Sequence, residues 1–255
     1  MGDGPTSMMA VAERVRGLER DRRMDAVVAR LLEIEREKDG YRNPDRRPGV
    51  RRLRQVATRP DGVACFNYLY LRVTEEIRAN AHQFQSPAGV QRLAVVFAEF
   101  YLTAYGAASA GAWVSKAWAP LFEKRDDRHI VPLQFALAGM NAHINNDLAW
   151  ALMQTWDELD AEPRIDSPDY ADFTRVNQIL ERVQGEVRVT LQSGLLRWLD
   201  RALGTFDDVI ANVSVGKARA EAWSRAGRWH RRFDPEAAAA HERSVGYQSH
   251  LILAA

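Results

Sequence analysis

The stretch IVPLQFALAGMNAHINNDLAWALMQTW, Ile130–Trp156, holds one formally charged residue, Asp147, and His143 stands four positions before it. A regular helix completes a turn in 3.6 residues, so the two side chains share a face. The same spacing sets Met140, His143, Asp147 and Trp150 on one stripe. Leu137, Ile144, Leu148 and Leu152 fall on a neighbouring apolar one. A helix this apolar belongs in a core, and a charge buried there alone costs several kcal/mol. The stripe is therefore either a polar anchor between helices or a working site.

Helical periodicity extends outward in both directions. Met24 to Lys38 is amphipathic, with Val27, Val28, Leu31 and Leu32 apolar. Asp61-Gly62 precedes a second helix over about Val63–Ala79, and Pro87 suits the first turn of a third. In that third helix Phe97, Phe100, Tyr101 and Ala104 are spaced helically, and the Gly106–Gly111 region ends it. Trp113, Trp118, Leu121 and Phe122 form an aromatic connector, and the charged turn Lys124–Arg128 leads into the central stretch. Ser167-Pro168-Asp169 combines a capping serine, proline at the first position and an early acid. The helix it opens could run to Leu203, with Gly204 at its end. Two more helices follow, about Val215–Arg232 and Pro235–Leu253. No alternating strand pattern and no repeat occurs. The expectation is a single all-α domain, a bundle of about seven to nine helices over residues 21–255. A flexible tail over residues 1–20 precedes it, and Tyr41–Pro60 forms an arginine-rich loop with seven arginines from Arg42 to Arg59.

The 255 residues are 46% hydrophobic, enough for one buried core, and the net charge of +1 gives no electrostatic pointer to nucleic acid. The arginine-rich loop has few aromatics for base stacking and reads as a solvated segment. Cys65 is the only cysteine, so no internal disulfide can form, and a reducing cytoplasm fits. In VACFNYLYL that thiol reads as a small buried hydrophobe. Ile130–Trp156 and Leu93–Ser115 are both apolar enough to raise the membrane question. The polar residues from Asn141 to Asp147 would be costly in lipid, and both stretches read as core helices.

The chain lacks a phosphate-binding Gly-x-x-x-x-Gly-Lys loop, a dinucleotide fingerprint and a Gly-x-Ser-x-Gly elbow. It also lacks His-Glu-x-x-His and Glu-x-x-His, which zinc proteases and di-iron bundles use. Asp126-Asp127 and Asn146-Asp147 only begin the metal motifs of terpene cyclases, because Trp150 and Gln154 replace the required ligands.

Other helices offer partners for the central pair. Asp172 lies in the first turn after the Ser167 cap, Asn177 borders the same face, and Arg219 has apolar neighbours that turn it inward. Glu99 is the lone charge of the Leu93–Ser115 stretch. A histidine beside an aspartate can act as general acid or base near neutral pH, with the carboxylate fixing its tautomer. A guanidinium can hold a carboxylate, a phosphate or an oxyanion. The same His143, Asp147 and Asp172 could instead bind one divalent metal. In a purely structural arrangement, Arg219 would neutralise an aspartate and His143 would donate to a backbone carbonyl.

Five stretches together resemble a family known as domain of unknown function 5995, common in actinobacteria and present in fungi. They are DGVACFNYLYLRVT (Asp61–Thr74), VVFAEFYLTAY (Val95–Tyr105), GMNAHINNDLAWAL (Gly139–Leu152), DFTRVNQIL (Asp172–Leu180) and KARAEAWSRAG (Lys217–Gly227). The Ala-His-x-Asn-x-Asp-Leu core is the most specific piece. The resemblance implies a signature polar set of His143, Asn145, Asp147, Asp172, Asn177 and Arg219, and implies no reaction.

The leading expectation is a cytoplasmic enzyme carrying out acid/base chemistry without a cofactor on a small, mostly apolar metabolite: a cyclisation, isomerisation or elimination. His143 and Asp147 carry the proton transfer, with Asp172 and Arg219 in the catalytic set. Asn145, Asn177, Glu99, Tyr101, Trp118, Phe122 and Trp150 contact substrate, the aromatic ones as pocket wall. A metal-dependent hydrolase or oxygenase and a non-catalytic helical scaffold are the alternatives. Neither nucleic acid nor membrane is an expected partner.

Overall fold

A computed structural model describes residues 23–37, 61–193 and 215–254, with side chains given except over 184–193. The expected N-terminal tail, the arginine-rich loop and the extension to Leu203 lie outside the described residues. Helices account for 82% of the structure, and the described residues contain no strand. The architecture is the expected all-α single-domain bundle. Its helices are α1 (23–37), α2 (Gly62–Ala79), α3 (Pro87–Ser109), α4 (Ala119–Lys124), α5 (Pro132–Met140), α6 (Leu148–Leu159), α7 (Pro168–Ser193), α8 (Val215–Arg231) and α9 (Pro235–Ala254).

Local chemistry sets the boundaries. The Asp61 side chain accepts from Val63 N–H at 2.8 Å, opening α2, and pairs with Arg125 just past α4. Pro87 and Pro132 take early positions where a missing N–H costs nothing. Gln134 reaches back to accept from Val131 N–H at 2.9 Å. Ser167 Oγ accepts from Tyr170 N–H at 3.1 Å, so the expected cap on α7 is present. Helix α6 stops at Asp160, whose φ of 50° is left-handed, a conformation aspartate tolerates better than most side chains.

One apolar core runs through the bundle. Met24, Val27, Val28, Leu31 and Ile34 bury one face of α1. Helix α5 packs extensively on α2. Gly139 makes that approach possible, because a Cβ there would run into the Phe66 ring. No helix of the described residues is long and apolar enough to cross a membrane.

The central stretch departs from a regular helix. Between α5 and α6, Asn141–Asp147 forms a π-helical segment, and Leu148 N–H bonds five residues back to His143 O. The wider turn splits the expected stripe. Met140 and His143 face one way, Asp147 turns behind the imidazole, and Trp150 is carried outward to pack on Trp229 and Phe233. Such single wide turns recur at functional sites.

Helix α9 locks the connector that precedes α4. Lys116 N–H donates to Glu242 at 2.6 Å, and the Lys116 carbonyl lies directly over Gly246. A methyl group at 246 would meet backbone, which cannot swing aside. Gly246→Ala should therefore lower unfolding free energy by about 1–3 kcal/mol in a denaturant titration.

Candidate active site

Asp147 organises the site. Its side chain is almost fully buried and accepts three hydrogen bonds. Trp118 Nε1–H donates to Oδ2 at 2.8 Å, His143 Nδ1 lies 3.0 Å from the same oxygen, and Asn146 Nδ2 donates to Oδ1 at 2.9 Å. With Asp147 accepting throughout, the His143 proton is on Nδ1 and the Nε2 lone pair faces the other way. His143 is 2% exposed, and its Nε2 is a buried atom with no partner among the described residues.

Aromatic rings surround the imidazole. Phe97 stacks flat on it with centroids 3.5 Å apart. Tyr70 meets it edge-on at 4.6 Å, and Phe66 and Trp118 complete the cage at 5.7 and 5.8 Å. Burial in this cage lowers the His143 pKa, against the opposing pull of the Asp147 carboxylate, so the ring is neutral at pH 7.

His143 forms part of the wall of a cavity of about 100 Å³. Phe66 to Ile77 of α2, Gly89 to Phe97 of α3, Leu148 to Leu159 of α6 and Phe173 to Leu180 of α7 supply much of the lining, with Trp223 from α8. Leu148 and Leu159 both line it, so it extends about 16 Å along α6. The threonines on this wall satisfy themselves. Thr74 Oγ1 donates to Tyr70 O at 2.8 Å and Thr155 Oγ1 to Ala151 O at 2.7 Å.

The remaining expected residues separate into distinct roles. Arg219 reaches the cavity but neutralises no aspartate. Its Nε donates to Asn177 Oδ1 and its Nη2 to Phe173 O, each at 2.7 Å, and its Cζ lies 4.1 Å from the Phe173 ring centroid. Asn177 thus positions Arg219 and is absent from the wall. Asp172 is fully buried, but it spends its oxygens on Gln85 N–H at 2.9 Å and Ser86 N–H at 2.6 Å. It ties α7 to the turn before α3. Among the described residues no group of three or more His, Cys, Asp or Glu is placed to hold a metal ion, so His143, Asp147 and Asp172 do not converge as ligands.

Glu99 is exposed on α3 and stands away from the cavity wall. Asn145 also lies off the wall. Its amide donates to Asn141 at 2.8 Å, and its carbonyl accepts from His241 Nε2 at 2.7 Å and Arg225 at 3.1 Å. Tyr101 joins the cage edge-on at 6.2 Å and Phe122 lies behind it: Tyr101 donates to Asn67 at 3.2 Å, and Phe122 packs on Trp118. Trp118 itself serves as a hydrogen-bond donor and does not line the cavity. Trp150 packs outward, as described. Burial pushes the Cys65 thiol up to about 12, in keeping with a buried hydrophobe.

The sequence reasoning passed over Phe97, Tyr70 and Phe66, which form the cage, and Phe173 and Trp223 beside Arg219. Their helical spacing with apolar neighbours marked them only as core, and nothing in the spacing separates a core aromatic from a cavity wall.

The chain belongs to the Family of unknown function (DUF5995), whose family model matches residues 50–255. The match extends beyond the Asp61–Gly227 span of the resembling motifs. No curated protein and no solved structure matches the chain.

Two measurements check this geometry. Asp172→Ala leaves two N–H groups without their acceptor and should cost about 3 kcal/mol of stability, read by denaturant unfolding. The lowered His143 pKa gives the second. The unfolded chain takes up a proton at the ordinary value of 6.5, and the native protein does so only at lower pH. This contribution to stability is intact above that value and declines as pH falls below it, by up to about 1.4 kcal/mol per pH unit, until the native value is passed. The stability difference between wild type and His143→Gln should narrow correspondingly between pH 6.5 and the native value.

Proposed function

We propose that this protein is an enzyme that binds a small, mostly apolar molecule in the cavity and moves a proton on it through His143. The observation that carries the reading is the His143 Nε2 atom. It is buried and has no hydrogen-bond partner among the described residues, His143 belongs to the largely apolar cavity wall, and Asp147 holds Nδ1 at 3.0 Å. A neutral imidazole with a free lone pair is a base ready to act, and burial near neutral pH keeps it in that form.

The chemistry follows from the arrangement. Nε2 takes a proton from a C–H or O–H group of the bound molecule. The ring becomes imidazolium, and Asp147, already accepting from Nδ1–H, stabilises the new charge without receiving the proton. Trp118 and Asn146 keep the carboxylate in place as this charge appears. The electron pair left on the substrate shifts a double bond, closes a ring or expels a leaving group. In an isomerisation the proton returns to a different atom of the same molecule. The flat Phe97 face over the imidazole favours the cationic ring. Asp172 enters the proposal only as the tie that positions α7. We take the cytoplasm as the compartment, on the lone buried cysteine.

The test incubates wild type and His143→Gln with an apolar extract of small metabolites and follows the mixture by untargeted mass spectrometry. Wild type should deplete a species that the variant leaves, with a rate ratio of about 10² or more. Circular dichroism and a thermal melt establish that the variant is folded. Equal turnover by a folded variant, or no turnover by wild type, would sink the proposal.

A further inference from the structure

Arg219 brings a positive charge to the cavity that no carboxylate among the described residues pairs with. The side chain is 5% exposed, and among the described residues it makes no ion pair. Its hydrogen bonds go to two neutral oxygens, Asn177 Oδ1 and Phe173 O. Among the described residues the one acidic side chain on the cavity wall is Asp169, one turn before Phe173 on α7, and the hydrogen bonds of Arg219 go elsewhere. Burial without a counter-ion among the described residues pushes Arg219 down to about 9, because the cation loses its solvation there.

The two polar groups lie toward opposite ends of the cavity. His143 belongs to the π-helical segment just before Leu148, where the α6 lining begins. Trp156 lies near the other end of that lining. It packs on Trp223, which packs on Phe173, the ring beneath Arg219. Between the ends the walls are apolar and their threonines are self-satisfied.

Building on the proposed reading of the cavity as a ligand site, we infer that its substrate class is carboxylic acids with an apolar body: Arg219 holds the carboxylate, and the chain or ring extends to His143. A carboxylate supplies the single negative charge that one guanidinium needs and fits its fork of donors. A phosphate would bring up to two charges to one cation, with no second Lys or Arg on the wall among the described residues. The reacting atom then lies on the apolar body, remote from the carboxylate.

The experiment compares decanoate with decanol, which share a ten-carbon chain and differ in charge. Binding is read by quenching of Trp156 and Trp223, both on the cavity wall, and by titration calorimetry. Wild type should bind decanoate at least about tenfold more tightly than decanol. Arg219→Met should lose that preference while keeping its decanol affinity. If Arg219→Met does not fold, the wild-type comparison decides the question alone. Equal affinity for acid and alcohol, or binding of neither, overturns the inference. Metabolite turnover without preference for acids would overturn this inference and leave the proton-transfer reading standing. Selective decanoate binding by a protein that turns over nothing would support this inference and overturn the other.

Discussion

A carboxylate in an aromatic core is the constraint on which the rest of the site depends. Buried without donors, Asp147 would cost more than a small domain can spare. Three donors meet it, and they come from separate parts of the chain: two from the π-helical segment and one from the connector before α4. Satisfying Asp147 therefore fixes the imidazole, the wide turn and the Trp118 connector in one geometry. A regular α-helix would bring His143 and Asp147 onto one face but would not also turn Asp147 towards Trp118 and Trp150 towards α8. The wide turn resolves these competing demands.

That turn breaks the regular helical ladder and has to be held from outside. Asn141 donates to Val245 O at 2.9 Å and to Ser249 Oγ at 3.0 Å, and accepts from Asn145. The Asn145 carbonyl is met by His241 and Arg225. Helices α8 and α9 thus support the site without reaching the cavity at those positions. Burial lowers the pKa of both His241 and Arg225, so each donates at some cost in desolvation. Asn145 belongs to this support, which explains how a residue in the family's most specific motif can stand off the wall.

Much of the fold was legible in the sequence because local chemistry decides it. The Asp61 start, the Ser167-Pro168 cap and the apolar period of α1 each rest on contacts within a few residues. The pairing of His143 with Asp147 was legible for the same reason. The π-helical segment was not, since Asn141 and Asn145 are also compatible with an ordinary helix, and the partners that select the wide turn lie about a hundred residues away. Asp172 reads as a site residue from its face on α7, yet its destination depends on the Gln85–Ser86 turn. Glu99 shows the reverse limit: a lone charge in the apolar Leu93–Ser115 stretch reads as buried, whereas α3 keeps one strip towards solvent.

The cavity itself argues against a purely structural role for these groups. The cavity's walls forfeit packing on their open side. A larger side chain at one of the wall positions would recover part of it. An apolar residue in place of the unbalanced Arg219 would also remove a desolvation cost, as replacements of buried charges often do. A scaffold gains nothing from either feature, and an imidazole needed only to bridge helices would have both nitrogens engaged. Each of these costs disappears when a molecule with an apolar body and an anionic end occupies the space, because it fills the void and balances the guanidinium. Its approach to Nε2 also supplies a partner that the described residues do not give the His143 ring.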